Sequence, residues 1–126
     1  MPFIIFAKPN EMKVIQQLFD AVHQTTAEER CSAKAFHDAI ENGLRRKGWK
    51  VVREFRVRDR GDGVPGRIDL VVISPLRIGI ELDNAITRKK SLFKLSHFDG
   101  LGIVILRKSG RIITCKRRPG RAAPLS

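Results

Sequence analysis

The hydrophobic pattern of this 126-residue chain changes its period at Gly48, and that change limits the folds open to it. Before Gly48, apolar side chains recur at helical spacing over residues 11–24 and 34–47. After it, alternating patterns and short apolar runs predict three strands, KVVREFRVR (50–58), RIDLVVI (67–73) and RIGIELD (77–83). A third helix is predicted over 88–97, and two further strands, GIVILR (102–107) and RIITCK (111–116), follow it. This order predicts an α/β fold in one domain.

The positive charge is concentrated at the C-terminal end of the chain. The chain has 25 lysines and arginines against 13 acidic residues, a net charge of +12. Residues 1–84 hold 14 basic and 12 acidic groups, whereas residues 85–126 hold 11 basic groups and one acid, Asp99. Such asymmetry is typical of proteins that bind polyanions. A membrane surface is the competing partner, but no basic amphipathic helix with aromatic anchors is evident. We therefore expect a nucleic acid.

The sequence also argues against export, membrane insertion and a cysteine-based zinc site. The apolar run at residues 3–7 is too short for a secretory signal, and no window approaches the 18 or so apolar residues of a spanning helix. Cys31 and Cys115 are far apart and have no partner at zinc spacing. His23, His37 and His97 likewise lack metal-ligand spacing and are expected to be surface or packed residues. We expect a cytoplasmic protein with reduced cysteines.

Three carboxylates lie inside segments that otherwise supply apolar strand residues. Asp69 stands between Ile68 and Leu70, while Glu81 and Asp83 alternate with Ile80 and Leu82 and so should share one face of the sheet. A carboxylate within a sheet is costly unless it is solvated, paired or bound to a cation. A divalent metal ion is the simplest explanation. The alternative is a solvated face on which these acids pair with arginines 67, 77 and 88.

These residues resemble a known family. A helix carrying an acid, then GRIDLVV, GIELD and a basic RKKSLFKL segment, looks like the PD-(D/E)xK nuclease superfamily, whose fold is restriction-endonuclease-like. The resemblance covers about residues 33–107. It implies a core of helix, three-stranded sheet, helix and strand, and it makes Asp69 and Glu81 metal ligands. Glu41 would be the additional helical ligand, with Asp38 a less favoured substitute. The implied cofactor is Mg²⁺, with Mn²⁺ as a substitute.

One position departs from the family pattern. The family usually has a lysine two residues after the second acid, where this chain has Asp83. The positively charged side chain that this lysine usually supplies is then expected from the following helix. Four residues there are available, Arg88, Lys89, Lys90 and Lys94, and Lys90 is the favoured candidate. Asp83 and Glu41 would support the metal site. The other interpretation is that catalysis has been lost and that the protein only binds nucleic acid.

The sequence thus predicts a metal-dependent endonuclease of small bacterial or phage type that hydrolyses DNA. Duplex or branched DNA is expected, because no aromatic platform for single strands is visible. The predicted parts are an N-terminal helical extension (1–32), the nuclease core (33–115) and a basic tail (116–126). A homodimer through the N-terminal helix and residues 3–7 is expected. A basic ribosomal or nucleoid component is a third, weaker interpretation. The predicted DNA-binding residues are Arg88, Lys89, Lys94, Lys116, Arg117 and Arg118.

Overall fold

The computed structural model describes residues 9–60 and 62–116, and it places them in three helices and one sheet. The elements are α1 (Pro9–His23), α2 (Ala33–Arg46), β1 (Lys50–Val57), β2 (Gly66–Ser74), β3 (Ile78–Asp83), α3 (Lys89–Ser96), β4 (Leu101–Leu106) and β5 (Ile112–Lys116). The predicted α/β class and the predicted order of elements are confirmed. The apolar run at 3–7, Arg117 and Arg118 lie outside the described residues.

All five strands join in one mixed sheet with the order β1-β2-β3-β4-β5. Neighbouring strands are antiparallel except for β3 and β4, which are parallel and are connected through α3. The sheet therefore has five strands, where the resemblance implied three and a separate fourth. The difference arises because β5 returns from β4 through a turn at Gly110, whose φ of 75° suits glycine, and pairs along the outer side of β4.

The sheet separates two hydrophobic clusters. Helices α1 and α2 cover one side, which we call the α2 face, and α3 covers the other, the α3 face. The cluster on the α2 face includes Leu18, Phe36, Ile40, Leu70 and Ile80. The cluster on the α3 face includes Val57, Ile68, Val71, Leu95 and Phe98. Helix α1 packs into the same cluster as α2.

In strands β1 and β2, the apolar side chains move from one face of the sheet to the other part of the way along each strand, at positions that lie across from each other. On β1, Val51 packs on the α2 face, whereas Phe55 and Val57 pack on the α3 face. On β2, Leu70 packs on the α2 face and Ile68 on the α3 face. An uninterrupted strand keeps residues two or four apart on one face, so each strand has an irregularity between these positions. On β1 it lies at Glu54, whose φ of 51° is unusual for a residue with a side chain.

The strand register places Glu54 and Asp69 at this change of face. Arg53 pairs with Leu70 and Phe55 pairs with Ile68, so Glu54 and Asp69 lie opposite each other.

None of the helices within the described residues is long and apolar enough to cross a bilayer.

Candidate active site

The two predicted metal ligands meet where β2 and β3 separate. Backbone pairing of these strands extends from Val72 and Ile78 to Leu70 and Ile80. Beyond it, carboxylates replace the backbone acceptors: the Asp69 N–H donates to Glu81 Oε2 at 3.0 Å, and the Leu82 N–H donates to Asp69 Oδ2 at 2.8 Å. The structure therefore brings Asp69 and Glu81 together, and it shows that both carboxylates also hold the strand ends in place.

Glu81 lies in a closed, polar environment on the α3 face. Its side chain is fully buried, and its Oε1 lies 2.7 Å from Lys94 Nζ and accepts a hydrogen bond of 3.2 Å from Ser91 Oγ. Burial raises the pKa of Glu81 to about 7, the charge of Asp69 acts in the same direction, and the hydrogen bond from Lys94 opposes both. Glu81 thus has three donors already in place.

The lysine beside these acids is Lys94, whereas the sequence favours Lys90. The Lys94 side chain is 13% exposed, and its amine also donates to the Arg67 carbonyl at 2.9 Å. Ser91 and Lys94 are three residues apart and share the side of α3 that packs on the sheet. Lys89 and Lys90 are exposed, and neither pairs with an acid among the described residues. Lys94 is therefore unavailable as a surface DNA contact, while Arg88 and Lys89 remain accessible.

Asp83 fixes the start of α3. It is 3% exposed, and its Oδ2 accepts the Arg88 N–H at 3.0 Å. Its Oδ1 accepts from Arg88 Nε at 3.0 Å and from Ser91 Oγ at 2.9 Å. Arg88 is the N-cap residue and makes no side-chain capping bond, so Asp83 supplies the acceptor that the helix start lacks. The alternation predicted for β3 is confirmed, because Glu81 and Asp83 both reach Ser91 while Leu82 packs on the α2 face.

Glu41 has partners other than the predicted metal site. Its carboxylate forms ion pairs with Arg45 at 2.9 Å and with Arg53 at 3.1 Å, and Asp38 pairs with Lys34 and Arg53. The residue of α2 that reaches Asp69 is His37, one helical turn before Glu41. Of these α2 residues, the structure therefore places His37, and not Glu41 or Asp38, in the group with Asp69.

A group of three side chains on the α2 face has the composition of a metal site. His37, Glu54 and Asp69 each offer one potential ligand atom, and these atoms all lie within 4.8 Å of one another. Two ligands on opposite sides of a small divalent ion are at most roughly 4.2 Å apart, so small side-chain adjustments suffice. His37 is 9% exposed, and its Nε2 is buried without a hydrogen-bond partner among the described residues. Carboxylates suit Mg²⁺ and Mn²⁺, and the imidazole suits transition metals, so the residues fit a divalent ion.

Sequence reasoning missed two members of this group. His37 was set aside because it lacks ligand spacing, yet ligands contributed by different elements need no fixed spacing. Glu54 carried no motif, but a hairpin register that pairs β1 with β2 places it opposite Asp69. That register is the signal by which it can be found.

A cleft of about 300 Å³ opens beside the metal-ligand group. Its lining comprises Ala33, His37, Asp69, Leu82, Asp83, Asn84, Arg88 and Arg107. Arg107 is held by one hydrogen bond of 3.0 Å to the Arg30 carbonyl, and the Arg88 side chain is 57% exposed. Each guanidinium therefore keeps further N–H donors that can reach an anion in the cleft.

Comparisons of the chain with models of protein families, with curated proteins and with solved structures found no match. A functional conclusion has to come from the chemistry of the site itself.

Proposed function

We propose that the protein is a metal-dependent endonuclease that hydrolyses phosphodiester bonds in DNA. The observation that supports this best is the juxtaposition at the separated ends of β2 and β3. Asp69 and Glu81 meet there, a lysine amine lies on Glu81, and a group of suitable metal ligands opens onto a cleft with two arginines. Acid pairs, a lysine and a divalent ion are the usual components of phosphodiester hydrolysis in the family that the sequence resembles.

Each residue has a proposed role. Asp69, His37 and Glu54 would hold the cation, which, when bound, lowers the pKa of an attacking water and polarises the phosphodiester. Lys94 takes the place of the lysine that Asp83 replaces, and its contacts with Glu81 and the Arg67 carbonyl fix the position of its amine. Arg88 and Arg107 donate hydrogen bonds to phosphate oxygens in the cleft.

The finer features of the fold belong to the same proposal. The succession α2, β1, β2, β3, α3 and β4 has the order that the restriction-endonuclease-like core would have, with β5 as an addition. The proposed cofactor is Mg²⁺ or Mn²⁺, and the proposed setting is cytoplasmic. A homodimer is proposed because one site cuts one strand, and light scattering at working concentration tests it.

The cleavage experiment uses supercoiled, linear and four-way-junction DNA with Mg²⁺, Mn²⁺ or a chelator. We expect Asp69→Asn and Lys94→Met to lower the cleavage rate by about 100-fold or more, as the loss of one charge-stabilising group commonly does. Lys90→Met is the matched control on the same helix and should leave the rate within about threefold, since Lys90 is exposed. Cleavage that persists in both site variants contradicts the assignment.

A second candidate function is nucleic-acid binding without catalysis. The observation in its favour is that Glu81 already accepts bonds from Lys94, Ser91 and the Asp69 N–H, which leaves little capacity for a cation. The same experiment separates the two functions. Tight DNA binding with no cleavage of any substrate, in either metal, favours the second.

A further inference from the structure

Two arginines face each other on the β1–β2 ribbon. Arg56 and Arg67 are direct partners in the strand register, and both side chains are exposed. Neither side chain forms an ion pair or a hydrogen bond with another described residue. Like charges placed directly opposite each other on an antiparallel pair are destabilising. An anion that binds between them removes this repulsion.

The position of the pair relates it to the candidate active site. Phe55, Val57 and Ile68 pack on the α3 face, so the side chains of Arg56 and Arg67 project from the opposite side of the ribbon. Glu54 and Asp69 reach His37 on that same side. Each arginine is two residues from one of these carboxylates, a separation of about 7 Å along a strand. The paired guanidinium groups therefore lie one strand repeat beyond the metal-ligand group.

We infer that Arg56 and Arg67 form a phosphate clamp that holds the backbone of a nucleic-acid strand beside the metal-ligand group. Guanidinium groups bind phosphate oxygens through two parallel N–H donors, which suits a pair that has no competing partner. The adjacent carboxylates disfavour an anionic lipid surface, because lipid phosphates would meet them across the whole patch. A nucleic-acid strand presents its phosphates along a single line and so meets fewer of these carboxylates. The inference rests on the proposed function, and it adds contacts outside the basic C-terminal third.

The test measures DNA binding in chelator, so that it does not depend on cleavage. Fluorescence anisotropy with a labelled duplex gives the affinity over a series of salt concentrations for the wild type and for Arg56→Gln/Arg67→Gln. Each phosphate that is neutralised contributes about 0.9 to the slope of log K against log salt, so loss of the one phosphate held between the two arginines should make the variant slope smaller by roughly 0.9. We also expect its affinity to fall by roughly tenfold or more at low salt.

The matched control is Arg46→Gln/Lys47→Gln, which removes the same charge from two exposed side chains that lie outside both the clamp and the basic C-terminal third. It should keep a slope close to that of the wild type. The clamp is overturned if the Arg56/Arg67 variant has the wild-type slope, or if the control loses as much. Thermal unfolding checks integrity, and removal of two facing charges should leave stability equal or higher. If that variant nevertheless unfolds, Arg56→Lys/Arg67→Lys keeps the charges and should retain the slope while losing affinity.

Two further measurements separate this inference from the proposed function. An absence of cleavage by the wild type with Mg²⁺ and Mn²⁺ contradicts the nuclease, but it leaves the slope difference intact as support for the clamp. Binding of the wild type and the variant to phosphatidylserine-containing vesicles tests the alternative that the arginine pair binds an anionic membrane surface. A variant that loses vesicle binding while its DNA slope is unchanged overturns the nucleic-acid clamp.

Discussion

The two sides of the β2–β3 separation contain similar residues in opposite states. On the α3 face, Glu81 and Asp83 are buried, and every contact they make with Ser91, Lys94 and Arg88 is internal to the protein. On the α2 face, Glu54 is exposed, Asp69 is partly exposed and the buried His37 Nε2 lacks a partner in the part of the chain that the structure describes. A satisfied buried network fixes geometry, whereas an unsatisfied group beside a cleft is where an external ligand adds most. The comparison suggests a rigid support on one side and a receptive site on the other.

The largest expected effect is the pH dependence of stability that arises from Glu81 on the α3 face. The pKa of Glu81 is raised from 4.5 to about 7, so between these values the folded state keeps a proton that the unfolded state has lost. Its contribution to stability is therefore present below pH 4.5 and is lost as pH rises through about 7. The shift corresponds to about 3 kcal/mol. Urea unfolding in chelator should show this decline in the wild type and not in Glu81→Gln, and equal pH profiles would contradict it.

The next effect is the stabilisation of the protein by a metal ion bound on the α2 face. Addition of Mn²⁺ at 100 times its dissociation constant should stabilise the protein by about 2.7 kcal/mol if only the folded state binds. His37→Leu should abolish this shift without loss of stability in chelator, because the imidazole Nε2 has no internal partner. His97→Leu, on an exposed histidine, is the control. A metal-induced shift that survives in His37→Leu removes His37 from the site.

A smaller effect tests whether Asp83 supports α3. Asp83→Ala removes the acceptor of the Arg88 N–H and of Ser91 Oγ, and it should lower the free energy of unfolding by about 2 kcal/mol. Asp99→Ala, which breaks the exposed pair with Arg77, should cost less than about 1 kcal/mol. Similar losses in the two variants would show that Asp83 is an ordinary surface acid in energetic terms.

The smallest effect on stability is expected at Gly66. A Cβ there would lie 2.8 Å from Arg60 Cβ and 3.2 Å from Lys94 Cδ, so Gly66→Ala should displace Arg60 and shift the Lys94 stem by a few tenths of an ångström. We expect a loss of about 1 kcal/mol from overpacking and a disproportionate fall in the cleavage rate. Gly43→Ala is the control, because its Cβ would meet only ordinary contacts at 3.8 Å or more. Unchanged cleavage by Gly66→Ala would argue against a positioned Lys94.

The sequence predicted the elements well because each segment has one dominant period. It also predicted the meeting of Asp69 and Glu81, since both lie at comparable depths in adjacent antiparallel strands. It failed at Glu54, because VVREFRV reads as a regular strand and a positive φ leaves no trace in a polar or apolar pattern. It failed at Lys94 because proximity to the strand end was weighed above the helical phase shared with Ser91. The proximity of His37 to Glu54 and Asp69 is not visible in the sequence, because the three residues come from three different elements.

The change of face at Glu54 and Asp69 also affects how the β1–β2 ribbon tolerates insertions. Between these residues and the tip of the hairpin, the face to which each side chain points is set by the irregularity and does not depend on the length of the hairpin. Two residues added to each strand between Arg58 and Gly66 would extend the ribbon without turning Arg56 or Arg67 to the other side. Deletion of Glu54 alone would remove the irregularity from β1 while β2 keeps its own at Asp69, so the two strands would no longer match on both sides of it. The hairpin is therefore a region whose reach can vary while the arrangement at its base is kept.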